Sequence, residues 1–349
     1  MYWTHNSRKR SFFSIIAFLM VLLSTGCNSS NTERAANSEQ PPQAQEAAST
    51  PSPQSNKIKV VSTFLPIYWF TKAVTGDAAG VKILVPPGTE VHDYQATPDN
   101  VKEIATANVL VKNGLGLEEF LDDTIKNAQN SKLIQVDAAK GIQALDEISP
   151  VVKTHNAQEE HDHKHDEKAG EKTAEHDHDH PEGNPHVWLD PVLAKQQVEN
   201  IRDGLIAADS ANKATYEANA AAYIKQLDSL NSEFQQTLQK TPNCTFVTFH
   251  DAYPYLAKRY NLKQVAVVEI PEDQLSPTDV QNAVKAVKQY KVKALFGEPG
   301  SDNKLLTSLS KDLKLTLRPL DSLETGETDP QYYFKGMRAN LETLKSACQ

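Results

Sequence analysis

Eleven histidines occur in 349 residues, and they are unevenly placed. Seven of them (His155, His161, His163, His165, His176, His178 and His180) fall within 153–182, among ten acidic residues and four lysines. Beyond that stretch and the first twenty-seven residues, only His92, His186 and His250 remain. Neutral imidazole is a strong donor to zinc, which takes about four ligands in a tetrahedron at roughly 2.0–2.1 Å. The chemistry these side chains offer is therefore metal binding. The gaps between the three are far longer than in a zinc finger, so only a fold can assemble them.

Three imidazoles leave one position for an oxygen. Asp321 is the first choice, because it follows the apolar run Leu315-Thr316-Leu317 and so reaches the same sheet edge as His250. Glu90, near His92, Glu298, at the end of Ala294-Leu295-Phe296, and a water are the alternatives. Asp251, beside His250, reads as an outer partner that orients a ligand. The alternation in His161-Asp162-His163-Lys164-His165 and His176-Asp177-His178-Asp179-His180 suits weak capture of several ions, against the plainer reading of a solvated acidic loop. No HExxH, Walker loop or GxSxG is present, so no motif supports an enzyme.

Positioning these residues requires a mixed fold. Short β-prone runs at 58–61, 81–85, 109–111 and 133–136 alternate with helical patterns, and a second series follows at 245–249, 264–268, 294–296 and 315–317. This rhythm argues an α/β fold of two lobes, each with a mostly parallel sheet flanked by helices. Thr97-Pro98 and Ser276-Pro277-Thr278-Asp279 read as helix starts. Asp190 to about Lys240 reads as helical, with Asp190 as cap and Pro191 at the first turn. Ala211 to Gln239 reads as one long rigid helix joining the lobes, with Tyr216, Ala220, Tyr223, Leu227, Leu230 and Phe234 on one face. The expected organisation is an N-terminal lobe at 57–190 carrying the histidine-rich loop 153–182, a helical connector at 191–241 and a C-terminal lobe at 242–349. Each lobe is long enough for its own core. In open parallel sheets ligands gather beyond the carboxyl ends of strands, which is where His92 and His250 fall.

The start of the chain sets the compartment. Arg8-Lys9-Arg10, a largely apolar run from Phe12 to Leu23 that is too short to span a bilayer, and Ser24-Thr25-Gly26-Cys27 read as a secretion signal over 1–27. The small residues before Cys27 resemble a lipobox and predict acylation there; Ser24 stands where that pattern prefers an aliphatic side chain, and cleavage without lipid is the alternative. The polar, proline-containing stretch 28–56 reads as a flexible tether. Removing 1–27, which holds three basic and no acidic side chains, moves the net charge from -9 to -12. That charge argues against nucleic acid and anionic lipid as partners, and a lipid anchor is the one membrane contact expected. Cys244 and Cys348 are the two remaining cysteines and, in an oxidising compartment, form either one disulfide or two free thiols.

These segments together resemble a known family over essentially 57–349. Val60-Val61-Ser62-Thr63-Phe64-Leu65-Pro66, Gly88-Thr89-Glu90-Val91-His92-Asp93-Tyr94, Asn184-Pro185-His186-Val187-Trp188-Leu189-Asp190-Pro191, Phe249-His250-Asp251-Ala252-Tyr253 and Phe296-Gly297-Glu298-Pro299 are similar to the cluster A-I (cluster 9) metal-binding proteins of ABC importers, nearest the ZnuA-like zinc members. The resemblance implies two lobes joined by a long helix with metal between them. It places His92, His186 and His250 at the imidazole ligand positions and Asp321 at the carboxylate position. Manganese members carry glutamate where this chain has His250, so Zn2+ is the implied cargo. It further implies an extracytoplasmic, monomeric binding protein that delivers zinc to a membrane permease driven by a cytoplasmic ATPase. A manganese or iron importer subunit and a zinc-buffering or adhesion lipoprotein are the alternatives. Affinity should fall as pH drops toward the ordinary imidazole range near 6.5.

Overall fold

In the computed structural model, residues 57–145, 183–268, 277–292, 294–299 and 304–348 are described. The signal, the tether with Cys27, the seven histidines of the acidic stretch and Ser276 lie outside the described residues.

Two sheets carry the architecture, each of four parallel strands and each wound in the same order. The first contains β1 (Lys59–Ser62), β2 (Gly80–Ile83), β3 (Val109–Lys112) and β4 (Ile134–Asp137), arranged β2-β1-β3-β4. The second contains β5 (Thr245–Thr248), β6 (Lys263–Ala266), β7 (Ala294–Gly297) and β8 (Thr316–Pro319), arranged β6-β5-β7-β8. Burial follows position: Val109, Leu110 and Val111 of central β3 and all of β7 are buried, whereas edge strands β2, β4 and β8 are mostly open. Apolar runs in parallel strands are covered on both faces by crossover helices, which is why the central strands read as uninterrupted Val, Leu and Phe.

The helices begin where the sequence indicates. In α1 (Leu65–Thr75), Pro66 stands in the first turn. In α2 (Pro98–Thr106), Thr97 caps the amide of Asn100, and the Asn100 side chain returns the bond to the Thr97 amide at 2.8 Å. A short α3 (Asp122–Ala128) follows. The connecting region holds α4 (Pro191–Ala208), capped by Asp190 through the Val192 amide at 2.9 Å, and, after a single 3₁₀ turn, α5 (Lys213–Leu238), the long helix expected over Ala211–Gln239. The expected face of α5 is buried, with Leu238 added. Helix α4 packs directly on β4. Gly204 is required there, because a Cβ would lie 2.4 Å from the Val136 side chain. Helices α6 (Pro254–Arg259), α7 (Pro277–Gln289), α8 (Lys304–Leu313) and α9 (Tyr332–Cys348) complete the second half.

One apolar core is common to the two halves. The largest apolar cluster runs from Val60, Phe64, Trp69 and Phe70 through Trp188 and Tyr223 to Phe246, Phe296 and Tyr333. Phe70 meets Tyr333 edge-on at 5.1 Å between ring centroids, and Phe64 meets Trp188 at 4.9 Å. Each half also keeps an apolar cluster of its own, Val61, Leu84, Ile104 and Leu110 in the first and Val247, Val265, Leu295 and Leu306 in the second; the cluster that spans both arises because α5 buries its apolar face against α1 and α9 together. Cys244 and Cys348 form a disulfide with Cα atoms 5.6 Å apart, tying the start of β5 to the end of α9. Because that bond joins residues 104 apart, reducing it should lower the unfolding free energy by roughly 2–5 kcal/mol, read as a fall in the urea midpoint on adding dithiothreitol. An unchanged midpoint would show that the bond does not constrain the unfolded chain.

Candidate metal centre

The second sheet delivers His250. The chain leaves β5 at Thr248, whose hydroxyl donates to the His250 carbonyl at 2.8 Å, while Gln264 Nε2 donates to the same oxygen at 3.2 Å. With its backbone fixed, the ring is fully buried, and Nδ1 lies 2.8 Å from Glu298 Oε1. Glu298 follows β7, the neighbour of β5, so both residues stand at the carboxyl edge where the winding of the sheet reverses. An ionised carboxylate only accepts, so Nδ1 keeps a hydrogen and Nε2 is the atom that presents a lone pair once the ring is neutral.

His186 is anchored to the equivalent place in the first sheet. Asn113, just beyond β3, donates from Nδ2 to the Pro185 carbonyl at 3.1 Å and accepts from Gln197 at 2.8 Å. Asn184 Oδ1 accepts the His186 amide at 3.0 Å and lies 3.0 Å from its Nδ1. Asn184 Nδ2 donates to the Asp251 carbonyl at 2.7 Å, which fixes the amide's orientation. Nδ1 of His186 therefore bears hydrogen and Nε2 is again the free base. His92 comes from the loop after β2, which Tyr94 folds back by bonding Asn100 Oδ1 at 2.9 Å and the Leu84 carbonyl at 3.3 Å.

The three rings meet. Centroid separations are 4.6 Å for His186 and His250, 5.2 Å for His92 and His186, and 5.3 Å for His92 and His250. Glu324 completes the group, with Oε1 at 3.2 Å from His186 Nε2 and 3.7 Å from His92 Nε2. One donor atom from each of the four lies within 4.8 Å of all the others. A tetrahedral zinc sets such edges at about 3.4 Å, within reach of small side-chain rotations.

Asp321, the expected carboxylate, is not in this group. Its Oδ1 accepts the Leu323 amide at 2.8 Å, and its own peptide is bracketed by the Asn340 side chain at 2.8 and 2.7 Å. It shapes the turn that delivers Glu324, three residues on. A signal for this lay in Asp321-Ser322-Leu323: aspartate at a turn bonds its own backbone two residues ahead, consuming the carboxylate. Glu90 is half-buried in the His92 loop and outside the group, and Glu298 holds a ring from behind.

Burial dominates the charges. It pushes the His186 imidazole down to about 3, with only partial opposition from Glu324. For His250 burial also opposes protonation, but Glu298, aided by Glu324 and Asp251, outweighs it and raises the ring to about 9. Burial disfavours the Glu324 anion, yet His92, His186 and His250 outweigh that and hold it well below the usual carboxylate range. Asp321 is raised by burial to about 6.

The match to known proteins covers this same body. Residues 60–347 fit the model of the family "Zinc-uptake complex component A periplasmic". The chain belongs to this family. It is 30% identical to the high-affinity zinc uptake system protein ZnuA of Bacillus subtilis over 345 residues, 97% of this chain and 98% of that protein. It is 34% identical to the zinc-binding lipoprotein AdcA of Streptococcus pneumoniae over 304 residues, which is 86% of this chain but 57% of AdcA. The Zn(II)-bound ZnuA-like domain of pneumococcal AdcA superposes with a TM-score of 0.66 at 31% identity, over 84% of this chain and 99% of that one. The laminin-binding protein Lmb of Streptococcus agalactiae superposes at 0.68 with 29% identity, over 84% and 100%. The family and the architecture are those the histidine segments led us to expect.

The opposed shifts have a direct readout. In metal-free protein His250 should stay protonated up to about pH 9 and His186 neutral down to about pH 3, followed by imidazole NMR. A ring charged to about 9 when folded, against about 6.5 unfolded, stabilises the fold below about 6.5 and loses that contribution as pH rises through about 9. Two rings titrating together near 6.5 would contradict this arrangement.

Proposed function

We propose that this protein is the extracytoplasmic solute-binding component of a zinc ABC importer, holding one Zn2+ with His92, His186 Nε2, His250 Nε2 and Glu324. The convergence of three imidazoles and one carboxylate, all nearly inaccessible to water, carries this reading. Three nitrogens and one oxygen suit tetrahedral zinc, whereas manganese favours more oxygen donors and higher coordination. The names of the family and of its relatives point the same way. A binding component of an uptake complex performs no chemistry on its cargo, so its residues act by donating, orienting and shedding protons.

Zinc capture proceeds by exchange of a proton for the ion. The Glu324 carboxylate draws the cation in, His186 meets it already neutral, and His250 must release its proton before Nε2 can bind. Glu298 keeps the Nδ1 hydrogen throughout. A permease receives the ion, with an ATPase on the cytoplasmic side supplying the energy. Acylation of Cys27 would tether a monomer to the membrane, and the acidic histidine stretch 153–182 would gather zinc nearby. Among the described residues no helix is long and apolar enough to cross a membrane. Lmb is a bifunctional protein with adhesin and metal transporting activity, which keeps a surface role as the second reading. A growth defect confined to zinc-poor medium on deleting the gene separates import from it.

Quantitative metal analysis should find one tightly held zinc per chain that survives removal of 155–180. Glu324→Gln should weaken it by more than the roughly 10- to 100-fold that losing an outer partner costs, whereas Asp321→Asn, which still accepts from Leu323, should leave it within about threefold. The reverse ranking would restore Asp321 as the ligand. Because His250 holds its proton to about pH 9, zinc affinity should fall about tenfold per pH unit from there downward, with close to one proton released per ion at pH 7. Calorimetry in buffers of different ionisation enthalpy counts those protons; none released at pH 7 would refute the exchange.

A further inference from the structure

Ser322 sits between three of the four proposed ligands without being one. It is buried, at 3% exposure, in the turn that precedes Glu324. Its carbonyl accepts the Trp188 indole N–H at 2.7 Å, and Trp188 lies two residues beyond His186, whose ring rests on it at 5.0 Å between centroids. Its hydroxyl donates to Glu298 Oε2, and Glu298 Oε1 accepts from His250 Nδ1 at 2.8 Å. One short residue thus touches the element behind His186, the carboxylate behind His250 and the backbone leading to Glu324.

The turn is built to hold Ser322 in that position. Leu323 adopts a left-handed backbone, at φ 65, which is uncommon for a bulky residue and persists only where the surroundings dictate it. Its side chain fills a notch left by Gly336 of α9, where a Cβ would come within 2.4 Å. Tyr253 donates to the Leu320 carbonyl at 2.8 Å, and Asn340 clasps the Asp321 peptide from both sides. Each contact fixes the direction of the Ser322 hydroxyl and of Glu324 together.

His186 and His250 are oriented by different means. The acceptor behind His186 is Asn184, held by backbone groups of its own and the opposite half. The acceptor behind His250 is Glu298, and its second oxygen is held by a side chain from the Glu324 turn. We propose that Ser322 is a positioning residue for zinc: its hydroxyl fixes the Glu298 carboxylate so that His250 Nε2 and Glu324 converge on the ion as a coupled pair. This rests on the ligand set proposed above.

The test uses the full chain with Zn2+ under chelator competition, and with Co2+ as a spectroscopic probe. Ser322→Ala should weaken zinc by roughly 10- to 100-fold, as expected for an outer partner of a ligating histidine. It should also reduce the intense visible bands of tetrahedral cobalt, while Ser322→Cys, similar in size and a weak donor, falls between. Because the effect passes through Glu298, Ser322→Ala placed in a Glu298→Gln background should cost less than about threefold more. Zinc affinity within about threefold of wild type with an unchanged cobalt spectrum would overturn the proposal. So would an equal loss in both backgrounds, which marks a merely structural role. Should Ser322→Ala fail to fold, Ser322→Cys carries both comparisons. Absence of a tight zinc in the wild-type chain would instead refute the binding function itself.

Discussion

Everything in this molecule turns on the burial of four donors against one another. His92, His186, His250 and Glu324 expose almost none of their side chains, yet a polar group removed from water without a partner costs roughly 1–3 kcal/mol or more. His186 Nε2, His250 Nε2 and both oxygens of Glu324 have no well-formed hydrogen bond among the described residues. A divalent cation would satisfy all of these atoms at once. The cluster is tolerable in a folded chain because the surrounding sheets, aromatic core and capped turns supply the stability that it does not.

The two halves use the same sheet winding for different ends. In the second, the edge at the reversal point bears functional side chains directly, His250 after β5 and Glu298 after β7. In the first, the same edge is filled by the chain's own groups: Glu118 is fully buried there, accepting from the Thr63 hydroxyl at 2.7 Å and from the amides of Asn113 and Gly114 at 2.6 and 3.0 Å. Burial raises the pKa of Glu118 despite those donors. That plug leaves Asn113 to grip the Pro185 carbonyl, so a segment remote in sequence, not a strand end, presents His186. The first half thus contributes His92 from the loop after β2 and His186 from a docked peptide, while the second contributes His250 from the reversal edge itself.

Much of this was legible from residue types. Strands emerge from runs such as Val109-Leu110-Val111 because parallel strands are covered on both faces, and helix starts at Thr97-Pro98 and Asp190-Pro191 are local chemistry that tertiary structure need not override. The three histidines were legible because ordered histidine is otherwise so scarce here. Glu324 was not, since Asp321 and Glu324 look alike until the turn is built and Asp321 spends its oxygen on Leu323. The long helix from about Ala211 was legible too, and α4 stops just before it at Ala208, where Asp209 accepts from the Tyr216 hydroxyl at 2.8 Å. The cluster that spans both halves was hidden, because chain length says nothing about which half a long helix will serve.

Helix α5 has a consequence for whatever receives the ion. At about 1.5 Å per residue its twenty-six residues make a strut of about 39 Å, seated on α1 at one side and α9 at the other. Such a strut forbids the wide jaw motion by which binding proteins with pliable crossings announce that they are full. A receptor that tells the loaded from the empty form would then read the loops that carry His92 and Glu324 and not the angle between the halves.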